Sequence, residues 1–279
     1  VSITEHKIQV GKLEWFYRLA EAKSDNPPVL LLHGLPAHSY TWRKIMPELV
    51  QTGYTAIAPD WIGCGFSAKP EKRDFAYTPD AFIDALADFI AALELTSFHL
   101  VVQGFLGSVG LQYALRHPEQ IERLIILNTP IATTAKLPWK MKQWGFPFVG
   151  DMATQDPLLV DRTLEGGSGF VISDKDLDVL RKPFLQTSSV GRALVAIINR
   201  MALEKSMNEI ATGLSTWENP ACLIWGMLDP WLSAEDAEAL AANSSIELLK
   251  LAEAKHYPQE HWSQEIAEKI SYFFRREVF

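Results

Sequence analysis

Six stretches of the chain are rich in apolar positions: Val29–His33, Thr55–Pro59, Ser97–Gln103, Ile121–Asn128, Ala221–Trp225 and Ile246–Leu251. The first is continuous, the pattern of a β-strand covered on both faces as in a parallel sheet, and the others read as further strands of it. Ahead of them, His6–Val10 and Glu14–Ala20 read as a strand pair with Gly11-Lys12 at the turn. Between the strands the period becomes helical. Thr41–Gln51 has helical spacing, and Pro79–Leu93 is amphipathic, with Thr78 as its expected N-cap and Pro79 at its first position. A helix follows directly on Gln103 and runs to about His117, and two more are expected at Ser233–Ala242 and Ser263–Phe274.

Strands and helices that alternate over short connections predict an α/β protein: a mostly parallel eight-stranded sheet with helices on both faces. The alternation lapses between residues 130 and 215. That stretch carries helical patterns, prolines near Trp139 and Trp144, and Gly166-Gly167-Ser168-Gly169, which reads as a loop. Because the sheet is completed only afterwards, residues 130–215 are expected to be a helical cap inserted into one core made of 1–129 and 216–279.

Composition narrows the classes. Hydrophobic residues make up 48% of the 279, enough for one large core, and with nine tryptophans some are expected to line a pocket. A formal charge of -8 argues against a nucleic-acid surface. There is no block of like charges to act as a polybasic membrane anchor, and no apolar stretch is long enough to span a bilayer. The first residues lack the basic start and apolar run of a signal peptide. Cys64 and Cys222 lie far apart and outside metal-ligand spacing, so both are expected as reduced thiols in a cytoplasmic setting. No dinucleotide fingerprint, phosphate loop or His/Cys cluster appears, and no cofactor or metal is expected.

Five short motifs sit at strand ends. His33-Gly34 closes one strand, and its glycine lets backbone N–H groups turn toward the crevice where such sheets bind ligands. Asp60-Trp61-Ile62-Gly63-Cys64-Gly65-Phe66-Ser67 follows the next strand. Val101-Val102-Gln103-Gly104-Phe105-Leu106-Gly107 passes from strand straight into helix. Trp225-Gly226-Met227-Leu228-Asp229 and Ala254-Lys255-His256, with Glu260 four residues on, follow the last two strands.

Taken in that order, these motifs resemble the α/β-hydrolase fold, whose catalytic groups occur as nucleophile, acid and histidine along the chain. The nearest likeness is to the haloalkane dehalogenase and epoxide hydrolase group, whose elbow resembles V-V-Q-D-W-G-G. Asp174–Phe184, with Arg181-Lys182-Pro183-Phe184, looks like a cap segment of that group. Val-Val-Gln-Gly before an aromatic also resembles a poorly characterised cyanobacterial and plastid branch.

Carried across residue by residue, the resemblance puts Asp229 at the acid position and His256 at the base position. The backbone N–H groups of Leu35 and Phe105 fall where an oxyanion hole forms. Gly104 falls on the nucleophile, where the fold needs Asp, Ser or Cys. Phe105 replaces the tryptophan that holds a halide in dehalogenases, and Leu35 replaces a frequent asparagine, so both argue against halide chemistry. His33, Gly34, Trp139, Trp144 and Phe184 are the expected pocket residues for a small apolar molecule. Two functions follow as expectations. One is an enzyme without a covalent nucleophile, using the His–Asp dyad as a general base for hydrolysis or lyase chemistry. The other is a silent relative that binds an apolar ligand or a protein partner. Ser108 is a remote substitute nucleophile. Cys64 is expected to be a bland thiol, Ser67 to cap a turn and Glu260 to be structural. His6, His38, His99, His117 and His261 are expected to be packing or surface groups. Oligomeric state is not legible.

Overall fold

Buried on both faces over most of their length, the central strands have one another and the helices to pack against. The computed structural model describes residues 1–156 and 158–276. Pro157 and residues 277–279, the latter within the expected core, lie outside that description. Strands β1 (Thr4–Val10) and β2 (Leu13–Ala20) form an antiparallel hairpin, with Val10 opposite Leu13 across the Gly11 turn. Next come β3 (Val29–Leu32), β4 (Ala56–Pro59), β5 (Phe98–Gln103), β6 (Ile121–Leu127), β7 (Ala221–Gly226) and β8 (Glu247–Leu251). These six run parallel, β2 joins β4 antiparallel, and the sheet order is β1-β2-β4-β3-β5-β6-β7-β8. The chain leaves β3 for β4 on one side and returns to β5 on the other. That reversal is a topological switch point, where open α/β sheets place their ligands.

Helix α1 (Met46–Gln51) comes first, then α2 (Pro79–Ala92) and α3 (Gly104–Arg116). Six helices lie between β6 and β7: α4 (Trp139–Gln143), α5 (Val149–Thr154), α6 (Leu159–Ser168), α7 (Asp174–Gln186), α8 (Ser188–Arg200) and α9 (Leu203–Ser215). Helices α10 (Ala234–Ala242) and α11 (Ser263–Arg275) complete the set among the described residues. Buried side chains form two clusters, one on each face of the sheet. The smaller joins α1 and α11 through Leu49, Ile266, Ile270 and Phe274, and the larger joins α2, α3 and the inserted helices. Helix α3 lies close against the strands because Gly110 has no side chain. A Cβ there would come within 2.7 Å of Val102 and 2.8 Å of Leu32. As the sequence suggests, Thr78 caps α2, accepting a bond from the Ala81 N–H. No helix among the described residues is long and apolar enough to cross a membrane.

Two expectations need correction. Thr41–Gln51 is not one helix: a 3-10 turn covers Ser39–Trp42, and α1 begins only at Met46. Pro47 sits in its first turn, lacks the N–H to bond back to Arg43, and would clash with that carbonyl in a longer helix. Gly166-Gly167-Ser168 is not a loop but the last turn of α6, which ends on left-handed Gly169 at φ 77°. Tertiary packing of Gly167, described below, overrides its weak helix propensity.

His99 offers a test of the core. Its ring stacks on Phe274 at 4.0 Å and meets Tyr54 edge-on. Burial, with help from the Arg123 charge, pushes its pKa down to about 4. The folded state therefore refuses a proton that the unfolded chain accepts below about 6.5. Stability from this group is complete above that value and is lost as pH falls toward 4. His99→Phe, measured by urea unfolding between pH 7 and 4, is expected to flatten the slope by up to about 1.4 kcal/mol per pH unit. An unchanged slope would mean that His99 titrates normally in the fold.

Candidate functional site

Two chain segments that the sequence separates are pressed together at the carboxyl ends of β7 and β8. Gly226 makes this contact: a Cβ there would lie 2.3 Å from the Lys255 carbonyl oxygen and 2.8 Å from that of Ala254. With no side chain in the way, the Leu228 N–H donates to the Ala254 carbonyl at 2.9 Å. His256 thereby lands beside Asp229, its Nδ1 2.8 Å from Asp229 Oδ2, with both side chains fully buried. This is the physical content of the W-G-x-x-D motif.

Asp229 is held on every side. Its Oδ2 also accepts from Asn128 Nδ2 at 2.8 Å, and its Oδ1 accepts from the Trp231 and Leu232 N–H groups at 2.8 and 3.1 Å. Asn128 is itself fixed, its side chain donating to the Gly226 carbonyl and accepting from the Gly226 N–H. An Nδ1 proton directed at the carboxylate leaves Nε2 of His256 as a lone pair. That Nε2 is buried and has no hydrogen-bond partner among the described residues.

The lone pair faces Gly104. The strand-to-helix elbow puts this residue at φ +71°, and a Cβ built on it would lie 3.6 Å from His256 Nε2. The same Cβ would lie 2.9 Å from the Cα of Gly34, so the ends of β3 and β5 close against each other at two bare glycines. Leu35 and Phe105 follow these glycines directly. The Phe105 N–H lies in the first turn of α3, where no carbonyl of the helix can accept it. Three aromatic rings enclose the imidazole: Phe105 stacked at 5.4 Å, Trp231 at 4.6 Å and Tyr257 edge-on at 4.8 Å. Burial, then the Asp229 charge, raises the Tyr257 phenol well above its ordinary range. It remains a neutral donor to the Leu35 carbonyl at 2.7 Å. Gln103 donates to the His256 carbonyl at 2.8 Å.

The inserted helices close the site from above. The Gly167 carbonyl of α6 accepts from the His256 N–H at 2.9 Å, and a Cβ on Gly167 would strike both Tyr257 and Trp231. Outside Trp231 lies a cleft of 420 Å³, lined among others by Met141, Trp144, Val149, Leu159, Pro230 and Trp231 itself. Trp231 thus stands between the cleft and His256.

Of the expected pocket residues, Trp144 lines this cleft, while Gly34 lies buried against Gly104 and does not line it. His33 does not present itself. Its Nδ1 bonds the Gly34 carbonyl, its Nε2 accepts the Trp61 N–H, and the ring is wholly buried. Trp139 is 63% exposed on the outer side of α4, because that helix turns its Met141 inward instead. Phe184 packs half-buried from α7 against the core and does not line this cleft. The Asp60 loop is scaffold: Asp60 accepts from the Ser39 and Phe66 N–H groups, and Ser67 bonds both the Asp60 carbonyl and the Phe16 N–H. Cys64 and Cys222 are buried free thiols, each pushed up to about 12 by burial. Ser108 donates back to the Phe105 carbonyl within α3. Among the described residues no three His, Cys, Asp or Glu side chains gather as a metal site requires.

The family model described as alpha/beta hydrolase fold matches residues 27–165. A haloalkane dehalogenase from Bradyrhizobium elkani superposes with a TM-score of 0.86 at 25% identity, covering 98% of both chains. An ancestral haloalkane dehalogenase gives 0.85 at 27% identity, over 96% of this chain and 98% of that one. The chain has an α/β-hydrolase fold of the haloalkane dehalogenase group. In sequence it is 28% identical over 270 residues to a haloalkane dehalogenase of Mycolicibacterium paratuberculosis, covering 90% of this chain and 85% of the relative. A second likeness is local: 41% identity over 103 residues to a cis-3-alkyl-4-alkyloxetan-2-one decarboxylase of Shewanella oneidensis, over 37% of this chain and 32% of that protein. These relatives are hydrolase-like enzymes, and the chain is haloalkane dehalogenase-like in fold and length.

Within this α/β-hydrolase fold, Asn128, Trp231, Tyr257 and Gly167 are site residues that motif reading passed over. Asn128 alone left a trace, as the residue that ends a strand; its φ of +37° marks the stop.

Proposed function

We propose that the protein is a small-molecule enzyme that works without a covalent intermediate, with His256 as general base and Asp229 as its orienting partner. The observation that carries this reading is the unpartnered Nε2 of His256, buried and aimed at the bare elbow of Gly104. A side chain at position 104 is what the fold ordinarily uses to attack. With no side chain there, Nε2 is left to act directly on water or on a substrate atom.

In the hydrolytic form, water stands between Nε2 and an electrophilic carbon. As its oxygen bonds that carbon, its proton passes to Nε2 and the carbon–oxygen π electrons move onto the substrate oxygen. The Leu35 and Phe105 N–H groups receive that charge. The oxygen then re-forms its double bond, the leaving group departs with the electron pair, and Nε2 returns the proton to it. In the lyase form, Nε2 takes a proton from the substrate itself, the electron pair of that bond becomes the new π bond, and the leaving group departs with its own pair and receives the proton from Nε2. The local likeness to an oxetanone decarboxylase supports chemistry at a carbonyl-bearing apolar substrate. General-base catalysis supplies about 10²–10⁴-fold and oxyanion donors about 10²–10³-fold, enough for a specialised reaction. Phe105 and Leu35 stand where halide ligands would be, which argues against dehalogenation.

The test is a turnover screen over short esters, lactones, epoxides and haloalkanes, with wild type beside His256→Gln and Gly104→Ser. Turnover by wild type that His256→Gln loses supports the dyad. A second reading, a silent binding protein, draws on the full burial of His256 behind Trp231 and Tyr257. Wild type inactive on every class, with Gly104→Ser gaining esterase activity, would favour it.

Gly104→Ser is also expected to lower stability by about 1–3 kcal/mol, from a side chain at positive φ and a forced shift of the Gly34 backbone. Equal denaturation midpoints for variant and wild type would show that the elbow relaxes freely.

A further inference from the structure

The segment from Lys136 to Met152 is unlike the rest of the surface. Trp139 is 63% exposed, Phe148 83%, Val149 47% and Met152 77%, and all four lie within α4, α5 and the turn between them. Phe148 holds φ +62°, a left-handed conformation costly for an aromatic residue, and there it directs its ring into solvent. Trp139 leans edge-on against Phe146 at 5.7 Å, two residues before Phe148. Lys136, Lys140 and Lys142 are exposed among these groups, and residues 130–150 contain no acidic side chain, although the whole chain carries -8. The lysines alternate with apolar positions instead of forming a block, so the sequence shows no polybasic run.

We propose that this face docks on an anionic lipid surface. Exposed tryptophan and other apolar side chains flanked by lysine are what the membrane interface accepts: rings at headgroup depth, ammonium groups on the phosphates. Charge also decides the occupant. A second copy meeting this face about a two-fold axis would bring each protomer's three lysines against the same three of its partner. An anionic membrane complements them. The acidic remainder of the chain is screened beyond about 10 Å at 0.1 M salt, and Asp151, exposed in α5, is the one acid within the segment, against three lysines. The same segment contributes Lys140, Met141, Trp144 and Val149 to the wall of the cleft outside Trp231, so docking would bring the cleft's mouth to the lipid. The inference concerns binding alone and stands apart from the catalytic reading.

Sedimentation with vesicles tests it, using phosphatidylcholine alone and phosphatidylcholine with a quarter phosphatidylglycerol. Wild type is expected to partition at least about tenfold more strongly onto the anionic vesicles, and less as salt rises. Lys140→Gln with Lys142→Gln is expected to weaken that binding about 30-fold. Phe148→Ser with Met152→Ser is expected to weaken it at least about tenfold. All four positions are exposed, and circular dichroism melts confirm that each double variant is folded. Equal partition onto both vesicle types, no partition at all, or variants that bind as wild type does would overturn the proposal. A dimer in sedimentation equilibrium that Phe148→Ser with Met152→Ser dissociates would assign the patch to a second copy instead.

Discussion

His256→Gln is expected to turn over the substrate found in the screen about 10²–10⁴-fold more slowly than wild type, with KM little changed. Glutamine keeps a donor that can reach Asp229 but offers no basic lone pair toward Gly104. Because Asp229 already accepts from Asn128, Trp231 and Leu232, the carboxylate is not stranded when the imidazole goes. The loss should therefore appear in kcat and not in the melting temperature. Binding should survive, since the cleft wall and the Leu35 and Phe105 N–H groups are untouched. A variant that keeps full kcat would remove His256 from the chemistry, whatever the screen found for wild type.

The largest structural loss is expected at Glu260. This carboxylate is fully buried. It accepts from Thr41 Oγ1 at 2.8 Å and Arg43 at 2.9 Å, while its main-chain carbonyl accepts from Lys44 at 2.6 Å. Arg43 reaches the other way to Asp176 of α7 at 2.8 Å. Burial works against the Asp176 charge, yet its bonds from Arg43, Ser173 and Tyr40 hold the carboxyl down at about 2. One guanidinium thus ties the turn after β3, the turn after His256 and the inserted helices together. Glu260→Ala leaves that cation half paired in a dry site and is expected to cost roughly 3–5 kcal/mol. Asp176→Ala removes the more exposed partner and is expected to cost about 1 kcal/mol. Chemical denaturation of both variants measures the contrast, and similar losses would show that the clamp does not depend on burial.

Much of the sheet was legible because its central strands β3, β4, β5 and β7 have no solvent face. Residues such as Leu30, Val101 and Ile125 are apolar whichever way they point, and a run of them reads as a buried strand without knowing its neighbours. That Asp229 and His256 would come together was legible for a different reason: the order of the motifs, through the resemblance they carry, set the two beside each other. The Gly226 approach that brings them to 2.8 Å was not legible. What stayed hidden depends on distant partners. Trp231 and Tyr257 look like any core aromatics until His256 is placed between them. Gly166-Gly167 reads as a loop until the rings that need Gly167 bare are known. Trp139 and Trp144 lie on one short stretch with similar surroundings in sequence. Only the direction of α4 sends one outward and the other into the cleft wall.

The contact between Gly34 and Gly104 bears on how this chain can change over generations. Two of the four glycine codons, GGU and GGC, lie a single base from aspartate, serine and cysteine codons, and the other two reach those by way of a silent change. Yet the Cβ of a nucleophile at position 104 would meet the Cα of Gly34 at 2.9 Å, which makes that step unfavourable until the neighbouring turn has widened. Two glycines facing each other across the crevice therefore act as a latch on the lineage: the genetic code leaves the route open, and the backbone holds it shut.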